Sequence, residues 1–250
     1  FPLVCTSGNR ADEPLCTDPG EALAALAGLA ELYLAHDRPI ARPLDDSVVQ
    51  LAAGRVQLLR RARGYAPAPV TRAGAGGGPR SGASPRLRSG VLGLGGHLKA
   101  APALGAGGVI VAGAHVGDLD TPAARTRLAQ AAAELPALLR TPVRRVVGDL
   151  HPDHAGAVAA APGVPLTRVP HHLAHLAACR AEHDLAGPLL GVAFDGAGLG
   201  EDGTLWGGEF LWLDGARWER IAHLRVFTLP GGETGLRDPR YSALGVLHAL

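Results

Sequence analysis

Leu189 to Phe194 is an unbroken apolar run of strand length that meets Asp195, Gly196, Gly198 and Gly200. A strand apolar at every position is buried on both faces, so a chain carrying one must stack layers around it. The run is expected to stop at Asp195, where the glycines make a turn of bare backbone. A carboxylate then leaves a buried strand where N–H groups can approach a phosphate, and a bound cation would neutralise both. Shortly before it, His171 and His175 stand four apart at the head of a Leu- and Ala-rich segment. On a helix from about His172 to His183 their rings share one face, which is metal-ligand spacing. Taken singly, clustered histidines also serve as polar surface or core groups, and a D-G-x-G is also an ordinary turn. No G-x-x-x-x-G-K-[ST] is present. It is the combination that points to a metal-assisted nucleotide site.

The 250 residues suffice for one large or two modest domains with real cores. A net charge of +1 gives no bulk electrostatic argument for a nucleic-acid or membrane surface. Apolar residues make up 47%, which fits a globular α/β protein despite 35 Gly and 20 Pro. Cys5, Cys16 and Cys179 are scattered and form no C-x-x-C, so neither a disulfide framework nor a zinc knuckle is implied and a reducing cytoplasm is expected. No apolar segment has membrane-spanning length. Met is absent, Phe1 to Val4 reads as the interior of a strand, and Tyr241 to Leu250 starts a helix without a stop signal. A piece of a longer protein is expected.

Taken in order, residues 1–70 form a first unit, with a helix expected from Pro19 to Ala30 and strands at Leu32–Leu34, Ser47–Leu51 and Val56–Leu59. Arg55, Arg60, Arg61 and Arg63 follow the acidic pair Asp45 and Asp46, as a solvated face or an anion site would. Residues 71–90 are Gly, Pro, Ser and Arg without periodicity, a linker. Residues 91–250 then give strands at Val91–Gly95, Ala100–Leu104 and Val109–Ala114, a helix at Pro122–Leu139 and a strand at Arg144–Gly148. An Ala-rich helix, a short strand at Leu166–Val169 and the histidine helix follow. Strands at Leu189–Phe194, Thr204–Leu213 and Trp218–Leu224 lead into another helix, so one pattern starts twice. Asp149, His151 and Asp153 form a second polar cluster, read equally as a ligand contact or as a strand-end turn.

In the first unit TSGN, HDRPI, DDSVV and LLRRARGYAP occur in this order. They resemble the C-terminal part of the YrdC-like domain of hydrogenase maturation carbamoyltransferases, the HypF family. Beyond the linker, LGLGGHLK, HVGDL, GDLHPDH, VPHHLAHLAAC, AEHDL, GVAFDGAGLGEDGTLWGGEF, IAHLR and LPGG resemble the second catalytic domain of the same family. That domain is similar to the metal-binding tRNA threonylcarbamoyltransferase and to actin-like ATPases. The implied fold is α/β throughout: a truncated YrdC-like domain, then an incomplete actin-like domain of duplicated βββαβα pattern.

The resemblance also implies roles. Thr6, Ser7, Asn9, Ser47 and Arg60 would lie near ATP and carbamate. His171, His175 and Asp195 would hold zinc or iron, with Asp195 and Lys99 serving catalysis. Gly95 and Gly96, with Lys99, would form one phosphate loop, and Gly196, Gly198 and Gly200 the other. The family commonly has Glu where His97 stands, a third consecutive His where Leu173 stands, and E-P-W where Asp238, Pro239 and Arg240 stand. Cys179 is expected in the core.

The implied reaction joins carbamoyl phosphate and ATP, with Mg²⁺ accompanying the nucleotide, into carbamoyl adenylate and AMP chemistry. The carbamoyl group then passes to the C-terminal cysteine of HypE for cyanide ligand synthesis. As given, the piece is expected not to complete that transfer. Other readings are a tRNA threonylcarbamoylation-related protein, or a noncatalytic nucleotide- or RNA-binding module contacting double-stranded RNA through its YrdC-like part. An actin-like small-molecule kinase is disfavoured by the histidine pair.

Overall fold

The structure is a computed structural model describing residues 2–3, 6–11, 13–70, 88–155 and 163–250, with Ala155 and Glu233 described by their backbone alone. The chain divides into two compact units, one reaching Arg168 and one from Val169 to Leu250.

The first unit opens with helix α1 (Pro19–Ala25), capped by Asp18, whose side chain accepts the Glu21 N–H. Such a cap is worth about 1 kcal/mol. The helix ends five residues before the expected Ala30, and Gly28 sits in the left-handed region beyond it. Leu32–Leu34 forms no strand; Leu32 and Leu34 are fully exposed, without a neighbouring strand to complete a ladder. Of the expected strand at the start of the chain, Phe1 and Val4 lie outside the described residues and Pro2 and Leu3 are irregular. Strands β1 (Val48–Ala52) and β2 (Arg55–Arg60) form an antiparallel hairpin.

The core of this unit is a five-stranded sheet in the order β5-β4-β3-β6-β7. β3 (Val91–Gly93), β4 (Ala103–Ala106) and β5 (Val109–Ala112) run antiparallel, and β6 (Arg145–Asp149) pairs parallel to β3, as a crossover helix requires. Gly107 and Gly108 both have positive φ, the geometry a two-residue hairpin turn demands. Helix α2 (Pro122–Leu138) is capped by Thr121, with Pro122 pre-set for the first turn. Its buried positions Ala124, Arg127, Leu128, Ala131, Ala132 and Leu135 repeat at three and one, a helical stripe. Leu128, Ala132 and Leu135 join Leu92, Leu104, Val111 and Val146 in the core. After β6 only a short turn, Pro152–Ala155, falls within the described residues; the expected Ala-rich helix lies outside them, as does most of the expected linker. β7 (Leu166–Val169) closes the sheet.

The second unit begins with α3 (His171–Glu182) behind Pro170. β8 (Leu189–Leu199), β9 (Leu205–Asp214) and β10 (Arg217–His223) follow as an antiparallel sheet, then α4 (Gly232–Arg237) and α5 (Pro239–Ala249). Thus an antiparallel three-strand meander followed by a helix occurs twice. Leu173 and Leu176 of α3 pack with Trp206, Leu211 and Leu213. Three expectations fail here. The run Leu189 to Phe194 is not buried on both faces: Gly191 and Ala193 are buried while Leu190, Val192 and Phe194 are exposed, because α3 covers one face of the three-stranded sheet. The strand does not end at Phe194: β8 continues to Leu199 through an irregularity between Phe194 and Gly198. Cys179 is exposed rather than in the core, because α3 buries the Leu173 and Leu176 side of the helix. Among the described residues no helix is long and apolar enough to cross a membrane.

Candidate functional site

In the second unit α3 places His171 and His175 one turn apart, and the following strand returns Asp195 to them. His171 Nε2 lies 3.0 Å from Asp195 Oδ2, His175 Nε2 lies 3.3 Å from the same oxygen, and the two Nε2 atoms are 3.1 Å apart. Hydrogen bonds alone satisfy this triangle poorly. The two ring nitrogens bring at most one proton each, and protonating both turns the contact between them repulsive. A divalent cation satisfies all three lone pairs. With metal–ligand distances of about 2.0–2.1 Å, neighbouring ligand atoms stand about 2.8–3.0 Å apart at octahedral and about 3.3–3.4 Å apart at tetrahedral angles, so the observed 3.0–3.3 Å and the His₂Asp donor set fit zinc or ferrous iron. His175 is the most exposed of the three at 58%, which leaves one side open.

The electrostatics follow from the same contacts. Burial alone would raise the Asp195 carboxyl, but the Gly196 N–H, donated to Oδ1 at 2.7 Å, and the two histidines hold it below the usual carboxylate range. His172 points the other way. It is fully buried against Trp206, and burial pushes its imidazole down despite the carboxylates of Asp195 and Glu209.

The glycines of this loop differ in what requires them. A Cβ on Gly198 would come within 2.8 Å of His171 Cβ and 3.0 Å of His172 Cε1, so the residue lets β8 lie close on α3. Gly200 lies directly against the Trp206 indole, where a Cβ would collide. Gly196 faces open space. Behind the loop is a network that the sequence reading missed. Asp202 accepts from the Thr204 hydroxyl, Trp206 Nε1 and Arg220, and Arg220 also pairs with Glu209 at 2.6 Å and stacks 4.4 Å over the Trp206 ring. Its signal was Glu209 within the otherwise apolar strand WGGEFLWL, since a buried carboxylate demands a partner.

The first unit holds a cavity of about 740 Å³ whose wall includes Thr6, Ser7, Asn9 and Arg60, bringing together four of the five residues expected near a nucleotide. Ser47 is not on that wall; its hydroxyl donates to the Arg63 carbonyl and accepts the Ala62 N–H, tying the base of the β1–β2 hairpin. Lys99 lines the same cavity, as does His115, whose Nδ1 lies 3.0 Å from Asp45 Oδ2. Gly95 and Gly96 lie between β3 and Lys99 and are not on the wall. Asp149, His151 and Asp153 form a strand-end turn: Asp149 accepts the His151 N–H at 2.8 Å, and His151 Nδ1 the Asp153 N–H. The His154 ring lies 4.5 Å from that of His151, tilted by 30°, and stacks 5.2 Å from that of His97; its burial lowers its imidazole below the usual range.

Three family models match the chain in order: "Telomere recombination", of the Sua5, YciO and YrdC proteins, over residues 1–62; "HypF Kae1-like domain" over 86–182; and "Carbamoyltransferase, Kae1-like Domain, second subdomain" over 191–250. The carbamoyltransferase HypF2 of Cupriavidus necator is 44% identical over 99% of this chain and 30% of its own length. The carbamoyltransferase HypF of Synechocystis is 41% identical over 98% of this chain and 31% of its own. The chain therefore spans about a third of the length of these relatives. A crystal structure of full-length HypF in the phosphate- and nucleotide-bound form superimposes with a TM-score of 0.85 at 35% identity, covering 98% of this chain and 31% of that one. From the matched models and from identity that runs through both units, the chain belongs to the HypF family.

Proposed function

We propose that the chain supplies nucleotide-binding and metal-binding parts of an ATP-dependent, adenylate-forming carbamoyltransferase of nickel-iron hydrogenase maturation. The observation that carries the reading is the convergence of His171, His175 and Asp195 within 3.0–3.3 Å in a member of this family. The proposed organisation is a YrdC-like part over residues 1–70, a linker over 71–90 and an actin-like part over 91–250, working in the cytoplasm. Carbamoyl phosphate and ATP, with Mg²⁺, are the proposed substrates, and carbamoyl adenylate the activated species. Its carbamoyl carbon is attacked by the C-terminal cysteine of HypE; a C–S bond forms, the C–O bond to AMP breaks and the thiol proton is released.

In this reading Thr6, Ser7 and Asn9 orient the nucleotide by hydrogen bonds and Arg60 meets its phosphate. His171, His175 and Asp195 hold a zinc or iron ion, which when bound supplies Lewis-acid polarisation of a carbonyl or phosphate oxygen. The Gly196 N–H holds the Asp195 carboxylate ionised and oriented, and bare backbone at Gly196 leaves room for a ligand beside it. Gly198 and Gly200 serve the loop by allowing close packing. Double-stranded RNA binding gains nothing from the relatives and is no part of the proposal.

A chimera tests this. The chain replaces its matched third of the Cupriavidus necator HypF2, and carbamoylation of the HypE C-terminal cysteine is read by mass spectrometry. Transfer by the chimera, abolished by His171→Ala, is expected. A folded, metal-loaded chimera that transfers nothing would overturn the reading.

A further inference from the structure

One side-chain pair in the first unit joins stretches that match different families. Asp45 lies within residues 1–62 and His115 within 86–182, and Asp45 Oδ2 stands 3.0 Å from His115 Nδ1. The His115 N–H donates to Arg61 O at 2.9 Å, so the first stretch holds both the backbone and the ring of a residue from the second. The His115 side chain is only 14% exposed, and both members of the pair line the cavity of this unit.

This contact decides what each ring nitrogen can do. A carboxylate at Asp45 only accepts, so in the neutral imidazole the proton sits on Nδ1 and Nε2 keeps its lone pair. Nε2 has no hydrogen-bond partner among the described residues and is not closed off from solvent. Net charge gives the cavity little selectivity, because four carboxylates on its wall stand against three cations. Asp46 faces Arg63 at 3.6 Å and Asp118 accepts the Lys99 backbone N–H at 2.7 Å. Discrimination then falls to individually placed polar groups. A neutral acceptor suits an N–H donor and, unlike a carboxylate, does not repel a phosphate beside it.

We propose that His115, its tautomer fixed by Asp45, is a specificity-determining residue of this cavity. Its Nε2 accepts a hydrogen bond from the amino group of a carbamoyl adenylate and so favours a carbamoyl over an acetyl group. A terminal methyl cannot donate and leaves the nitrogen without a partner. The inference rests on the reading of this cavity as the site of the acyl adenylate.

Two stable analogues of an acyl adenylate test it, each with a sulfamoyl group in place of the phosphate. One ends in a carbamoyl and the other in an acetyl group, so they differ by NH₂ against CH₃. The 250-residue chain is titrated calorimetrically with both, as wild type, His115→Asn and His115→Gln. Wild type should bind the carbamoyl analogue at least about fivefold more tightly. Asparagine keeps an N–H near the Nδ1 position for Asp45 and loses the acceptor at Nε2. His115→Asn should therefore bind both analogues alike, and the acetyl analogue as wild type does, which separates lost selectivity from lost fold. Glutamine reaches the Nε2 position with its amide oxygen, so His115→Gln should regain part of the preference. Equal binding of both analogues by wild type, an undiminished preference in His115→Asn, or loss of both analogues in the two variants would overturn this inference alone. Failure of wild type to bind either analogue would overturn the nucleotide reading and the inference with it.

Discussion

Gly200 lies flat against the indole of Trp206, and no side chain fits between them. The same indole donates Nε1–H to Asp202 at 3.0 Å and carries Arg220 on its face, so displacing it disturbs a network rather than one contact. Gly200→Ala should therefore destabilise the second unit by about 1–3 kcal/mol. Gly196→Ala, facing open space, should leave stability within about 0.5 kcal/mol of wild type. Denaturant unfolding followed by tryptophan fluorescence measures both, and equal effects would contradict the packing account.

The Asp202 carboxyl is held below its ordinary value of 3.8, first by the Thr204 hydroxyl and N–H and then by Trp206 and Arg220. A carboxylate whose folded value lies below its unfolded one contributes fully above the unfolded value. That contribution is lost as pH falls through the folded value. Wild type should thus lose stability below about pH 4 more steeply than Asp202→Asn. Parallel acid limbs for the two proteins would show that this network is not linked to protonation.

Arg180 on α3 is buried and donates to the carbonyls of Leu185 and Gly187, both at 3.1 Å, and of Gly215 at 3.4 Å, fixing the α3–β8 connection to the β9–β10 turn. Lysine has no planar fork to reach three acceptors. Arg180→Lys should cost about 2 kcal/mol in thermal unfolding. A wild-type midpoint would contradict this.

What could be read from the sequence was local. His171 and His175 are one helical turn apart, and Asp195 follows an apolar strand, so only a helix–strand connection separates the pattern from the triangle. What escaped depended on distance. His115 and Asp45 are seventy residues apart. The continuation of β8 past Phe194 depends on Gly198 admitting His171 and His172, contacts no short window along the chain contains. Leu32 to Leu34 had strand residues but no neighbouring strand, and Cys179 had an apolar context on the outer side of its helix.

The metal triangle is the central claim, and metal stoichiometry tests it most directly. Purified wild-type chain, His175→Ala and Asp195→Asn are equilibrated with limiting zinc or ferrous iron against a competing chelator, and bound metal is measured by elemental analysis. Wild type should retain about one equivalent, and each variant should bind at least about tenfold more weakly, since even outer-sphere changes cost that much at such sites. Equal metal retention by all three proteins would contradict the account.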